Sequence, residues 1–189
     1  TYSTINWVVD TVISSWMSFS TDCSAELLGC TDSIAVNYDS LATVDDASCI
    51  YMTYVPDDNF ENYLEAAGMG DGIALNDSVL TTNINTVTSL YISSLNISDL
   101  TGIEDFSALE VLSVTQNQLT SLDVSANTAL TTLNCRSNLI TSLDFSQNIA
   151  LTSLACYWNQ LTNLDVSANT ALIELDCHGN QKSPWNRIL

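Results

Sequence analysis

The stretch LEVLSVTQNQLTSLDVSANTA (109–129) is followed without a gap by LTTLNCRSNLITSLDFSQNIA (130–150) and LTSLACYWNQLTNLDVSANTA (151–171). A further copy begins as LIELDCHGNQ (172–181) and stops, and a looser 22-residue copy, VTSLYISSLNISDLTGIEDFSA (87–108), comes before them. A 21-residue period held without slippage is the signature of stacked coils rather than of a closed domain. Each copy reads L-x-x-L-x-[VC]-x-x-N and then L-x-x-L-D-[VF]-x-x-N. Residues two apart on a strand share a side, so Leu112 and Val114, and their equivalents, point the same way. An Asn three residues past each strand suits a tight bend, because Asn tolerates left-handed backbone and bonds neighbouring peptide groups. The expected coil has two short straight sides and two corners. One such coil cannot bury its apolar face, but a stack of them can.

Stacking turns sequence positions into ladders. Cys135, Cys156 and Cys177 are 21 apart at an inward position, so their sulfurs repeat at about 4.8 Å. A metal site or disulfide is one reading, though parallel Cβ directions suit a disulfide poorly; small buried hydrophobes are the other and the favoured one. Asp123, Asp144 and Asp165 form a second ladder. Either calcium runs along it, or each Asp caps the amides of the next corner. The pattern resembles the leucine-rich repeat family, over residues 87 to about 181. The short nested form with its L-D-V segment is similar to repeats of secreted Bacteroidetes-type proteins, and NISDLTGIEDFSALEVL resembles the internalin style of repeat. The resemblance implies a repeat solenoid of short parallel β-strands with little helix, a parallel sheet on the concave face, and a role in binding.

The side chains that such a sheet would present are Tyr91, Ser113, Asn134, Ala155 and Asp176, with a neighbouring row of Ser93, Thr115, Arg136, Tyr157 and His178. Arg136, Tyr157, Trp158, Asp176 and His178, flanked by Asn134 and Glu174, fall within two or three rungs, roughly 10–15 Å. Tyr, Trp and Arg dominate interface energetics, and an aromatic ring beside Arg suits a sugar or an acidic group. The alternative is a solvated face with an incidental cluster. His178, the only histidine, lies next to Cys177 on the opposite side of the strand, so the two cannot form a nucleophile–base pair. The chain has no G-x-S-x-G, H-E-x-x-H, Walker A or G-x-G-x-x-G segment, and catalysis is not expected.

Upstream, VPDDNFENYLEAAGMGDG (55–72) predicts a helix, with Asp57 or Asp58 as N-cap, Gly68 near its end, and Phe60, Leu64 and Ala67 on one face. It is the natural cover for the first coil, spanning 53–86 with an irregular coil or two after it. Similar VPDDNFE caps precede such repeats in the secreted proteins named above. GCTDSIAVNYDSLATVDDASCIY, within residues 23–52, resembles a Cys-paired module that recurs in tandem in secreted proteins of marine bacteria. The resemblance implies a Cys30–Cys49 disulfide, which would stabilise by roughly 3 kcal/mol in the chain-entropy model. Cys23 has no assigned partner. Asp32, Asn37, Asp39, Asp45 and Asp46 offer oxygens of the kind calcium takes, with solvated turn acids as the other reading. No cofactor is required by the pattern. D-[ST]-[AILMTV] motifs, O-glycosylated in the bacteria that the repeats resemble, occur at Thr11, Ser33, Ser40 and Ser78.

At the ends, residues 1–22 mix helical apolar spacing with β-branched residues, and read either as the tail of a preceding domain or as a docking element. Residues 182–189 (KSPWNRIL) depart from the repeat and read as a C-terminal cap or a fragment end. The chain starts at Thr1 without a leader, as a processed protein or a fragment would.

The 189 residues carry 22 Asp and Glu against 3 Lys and Arg, a formal charge of -19, with 46% hydrophobic residues. That apolar content argues for a folded chain. The charge excludes nucleic acid and anionic membrane surfaces as partners, since both need clustered cations. No apolar run reaches the roughly 18 residues of a membrane span, so membrane insertion is not expected. Acidity, Ser/Thr/Asn richness and scarce Lys suggest a secreted or cell-surface protein, in a saline or calcium-containing medium. The expected function is extracellular, non-catalytic recognition of protein or glycan, as in adhesion. The other readings are a structural or stalk segment of a self-associating assembly, and an accessory region of a longer secreted enzyme.

Overall fold

The computed structural model describes residues 26–181. Residues 1–25 and 182–189, and with them Thr11, Cys23 and the segment expected as a C-terminal cap or fragment end, lie outside the described residues. In the acidic module β1 (Leu28–Gly29) and β2 (Val44–Asp45) pair in parallel. Cys30 and Cys49 are joined by a disulfide. Cys30 and Ala35 are buried there while Ile34, Val36 and Leu41 are exposed, so the bridge substitutes for a core.

The cap is more ordered than a helix with trailing coil. β3 (Met52–Tyr54) pairs antiparallel with β4 (Ser78–Leu80), Met52 opposite Leu80 and Tyr54 opposite Ser78. α1 (Asp58–Ala66) lies between them and α2 (Thr81–Ile84) follows. Strands of three residues are too short to show an alternating pattern, which is why the pairing was not legible. Asp57 is the N-cap of α1, its Oδ1 accepting from the N–H groups of Asn59 and Phe60. Phe60 and Leu64 are fully buried. Ala67, expected on the same face, is exposed because the helix ends at Ala66 and Gly68 turns the chain away at φ +73°.

The cap closes on the first coil through specific contacts. The Phe60 ring packs on Phe106 at 6.3 Å between centroids. Asp57 Oδ2 accepts from the N–H groups of Ser98 and Asp99 and from the Ser98 hydroxyl. Thr53 donates to Asp105 Oδ2 at 2.6 Å. Gly102, at φ +102°, lies so close that a Cβ there would stand 2.8 Å from the Tyr54 carbonyl oxygen.

The repeats form one parallel sheet in chain order: β5 (Ser89–Tyr91), β6 (Val111–Ser113), β7 (Thr132–Asn134), β8 (Ser153–Ala155) and β9 (Glu174–Asp176). Leu90, Leu112, Leu133, Leu154 and Leu175 are in register across it. Behind them Ile92, Val114, Cys135 and Cys156 make a second buried column. Leu119, Ile140 and Leu161 close the far side together with Val124 and Phe145. That far side is not a second strand. The L-x-x-L-D-[VF] segments carry no regular secondary structure and lead into turns, and the first repeat has the short 3-10 helix Ile103–Asp105.

The corner chemistry also differs from expectation. The left-handed residue is the one before the Asn: Gln116, Ser137, Trp158 and Gly179 have φ of 55°, 56°, 52° and 66°. The Asn turns inward and bonds backbone groups as expected. Asn138 Nδ2 donates to the carbonyls of Val114 and Cys135, and its Oδ1 accepts from Leu119 N–H. Asn117 and Asn159 are likewise buried and bonded. A second ladder, Asn127, Asn148 and Asn169, donates to the preceding coil's carbonyls.

Candidate functional site

Parallel register places one side chain directly above its equivalent a coil away, and two positions beyond β7, β8 and β9 these are Arg136, Tyr157 and His178. Their side chains make a continuous column. Tyr157 stacks on His178 with centroids 4.5 Å apart and planes 13° from parallel. Arg136 Nη1 donates to the Tyr157 hydroxyl at 2.5 Å, and its Cζ lies 5.4 Å from the ring centroid. At the far end His178 Nδ1 stands 2.5 Å from Asp176 Oδ1, both side chains about half exposed. Trp158 meets Tyr157 and His178 edge-on, at 5.2 and 5.8 Å.

Two backbone facts set the Trp158 ring there. Its positive φ swings the side chain off the strand direction. In the next coil the equivalent position is Gly179, where a Cβ would approach the indole Cδ1 to 2.3 Å. Gly179 thus makes room for the ring, a role that sequence reading missed. The signal was the one Gly in a column otherwise filled by Gln116, Ser137 and Trp158.

Of the seven residues proposed from sequence, Arg136, Tyr157, Trp158, Asp176 and His178 form this one contact set. Asn134 borders it, its Oδ1 accepting from Arg136 N–H at 3.4 Å. Glu174 stands apart, accepting from the Ser153 hydroxyl. Thr115, expected on the open row, is buried. Arg136 is the only Lys or Arg among the described residues, and it has no carboxylate within 4.0 Å there.

The other sequence-nominated positions are occupied by local turns. Asp32, Asp39, Asp45 and Asp46 each accept from a backbone N–H two residues on. Asn37 bonds the Ser48 carbonyl and the Ile50 N–H. The N–H of Ile34 and the Tyr51 hydroxyl hold the Asp32 carboxyl below its ordinary range. Asp123, Asp144 and Asp165 accept from the N–H groups of Ser125, Ser146 and Ser167, and these bonds lower their pKa. The carboxylates of that ladder therefore cap the corner that follows each of them. Ser33 and Ser40 are exposed, and Ser78 is half-buried on β4. Cys135 and Cys156 are buried free thiols and Cys177 is partly buried. Burial pushes the Cys135 thiol up to about 12 and raises the other two. They stay protonated at neutral pH and are poor nucleophiles.

Among the described residues, the oxygens of Asp58, Glu61 and Asp77 converge to within 4.8 Å of one another. Sequence gave no hint of this grouping, because cap folding brings together acids 16 residues apart. Glu61 is fully buried, yet its two oxygens already accept from the N–H groups of Asn76 and Asp77. It clamps the loop before β4.

No family model matches the chain. Over 75 residues, 40% of this chain, it is 39% identical to Internalin J of Listeria monocytogenes serotype 4b (strain F2365), and it spans 8% of that protein. Among solved structures it is similar to the functional domain of InlJ from Listeria monocytogenes, described as including a cysteine ladder. There the identity is 40% and the TM-score 0.62, over 68% of this chain and 29% of that one. It also superposes on the internalin InlF of the same species at 20% identity and TM-score 0.58, over 67% and 44% of the two chains. The fold is a leucine-rich repeat solenoid with a disulfide in its N-terminal part.

Proposed function

We propose that the chain is an extracellular, non-catalytic recognition module that binds a protein or glycan through the concave sheet face. The observation that carries this is the Arg136–Tyr157–His178 column with Trp158 beside it. Rigid aromatic groups held by their neighbours lose little conformational entropy on binding, and such residues dominate interface energies. The disulfide and the acidic, Lys-poor composition support residence outside the cell. The likeness to Internalin J supports surface adhesion as the setting.

The test is a binding screen of the whole chain against arrays of extracellular proteins and glycans, repeated with Tyr157→Ala and Trp158→Ala. Authentic binding should weaken at least tenfold, about 1.4 kcal/mol, while Ser146→Ala on the far side of the coil leaves it unchanged. Equal affinity for wild type and both aromatic variants would remove the face from consideration.

A further inference from the structure

We infer that Arg136 is a receptor for a single carboxylate, carried as an Asp or Glu side chain on an otherwise basic protein surface. The inference rests on the concave-face reading above and names its partner's chemistry. In a chain with 22 acids an arginine has carboxylates to spare, yet Arg136 pairs with none among the described residues. A guanidinium has five N–H donors in a fixed fork. Arg136 spends one on Tyr157, and no other protein acceptor is bonded to its side chain among the described residues. The fork is nevertheless held still: Tyr157 contacts it, His178 stacks on Tyr157, and Asp176 bonds His178. An immobilised, half-buried fork with open donors matches a planar two-oxygen acceptor, which a carboxylate presents bidentately.

The rest of the face decides what carries that carboxylate. Sugars bind flat on an open aromatic face, but Tyr157, the ring that Arg136 touches, has His178 stacked on it and Arg136 at its hydroxyl, so the open rings lie away from the fork. The strand positions between the exposed rings of Tyr91 and Trp158 are short polar or small, Ser113, Thr132, Asn134, Ser153 and Ala155. Such a floor admits a polypeptide backbone. The field of a molecule with formal charge -19 repels a generally acidic partner and attracts a basic one. The partner surface is then the mirror of this one: one acid among bases, against one Arg among acids.

The probes are 12-residue lysine-rich peptides with one central Glu, the same peptides with Gln, and polygalacturonate. They are titrated onto the whole chain by calorimetry and by NMR of the arginine side-chain N–H signals, which arise from two residues only, Arg136 and Arg187. The Glu peptide should bind at least tenfold tighter than its Gln partner and shift the Arg136 signal. In Arg136→Gln, checked for an unchanged melting curve, that ratio should fall to about one. A ratio near one in the wild type, the same ratio in Arg136→Gln, or no binding of either peptide at millimolar concentration overturns the inference. Arg136-dependent binding of polygalacturonate in place of the peptide overturns the assignment to protein. If Trp158→Ala abolishes binding to an array partner while the Glu and Gln peptides bind alike, the face reading stands and only the carboxylate assignment fails.

Discussion

Asp57 shows how much one side chain can join. One carboxylate oxygen caps α1 and the other binds the loop at Ser98 and Asp99. Burial pushes its pKa up, but the N–H and hydroxyl donors from Ser98, Phe60 and Asp99 outweigh it and hold the value below the ordinary one. The sign follows: a depressed folded-state pKa stabilises fully above the unfolded value, about 3.9, and that contribution is lost as pH falls through the folded value. Asp57→Ala should cost about 1–3 kcal/mol at neutral pH. It should also flatten the loss of stability below pH 4, read from chemical denaturation across an acid series. At Gly102 the positive φ and the nearby Tyr54 carbonyl forbid a side chain. Gly102→Ala should destabilise by about 2–3 kcal/mol, measured by urea denaturation. The buried thiols of Cys135 and Cys156 should resist iodoacetamide at pH 8 in the native protein and react only after unfolding.

At the scale of the coil, the inward Asn is the element that makes stacking specific. Asn138→Ala would orphan the Leu119 N–H and take one of two amide donors from each of the Val114 and Cys135 carbonyls, which keep Asn117 and Asn159, costing about 1–3 kcal/mol. Asn138→Asp should not rescue it, because the carboxylate has no donors for the two carbonyls. Thermal melts of the two variants check this. The Asn positions stood out in the sequence by their period, and so did their bonding to peptide groups, but not which groups they join. Sequence pattern says that a corner exists; only coordinates say that the left-handed residue is the one before the Asn. The cap had the same partial legibility. Its helix was readable from Asp57 to Gly68, because capping and helical spacing are local signals. Its β3–β4 pairing was not, because three-residue strands carry no period and pair across 23 intervening residues.

Over the whole molecule, a stack of near-identical coils is held together by nearest neighbours. Deleting 130–150 joins two compatible repeats and should leave a folded, shorter solenoid with a lower melting temperature, seen by circular dichroism. Aggregation of that variant would show that the coils are not interchangeable. Reduction of Cys30–Cys49 should loosen the small module and spare the sheet, since no other disulfide joins described residues. Hydrogen exchange before and after reductant separates the two.

The period and the register it forces were determined by sequence alone, since a strict 21-residue spacing of Leu admits one way to stack. The identity of the exposed row followed from that register, so Arg136, Tyr157 and His178 could be placed together without coordinates. What the tertiary structure decided was how they meet. Tyr157 is held by His178 and Arg136, Trp158 lies over Gly179, and Asp176 anchors the column. The reason is physical: backbone register is set by repetition, which a sequence displays, whereas rotamers and ring contacts between coils are set by the space the neighbouring side chains leave.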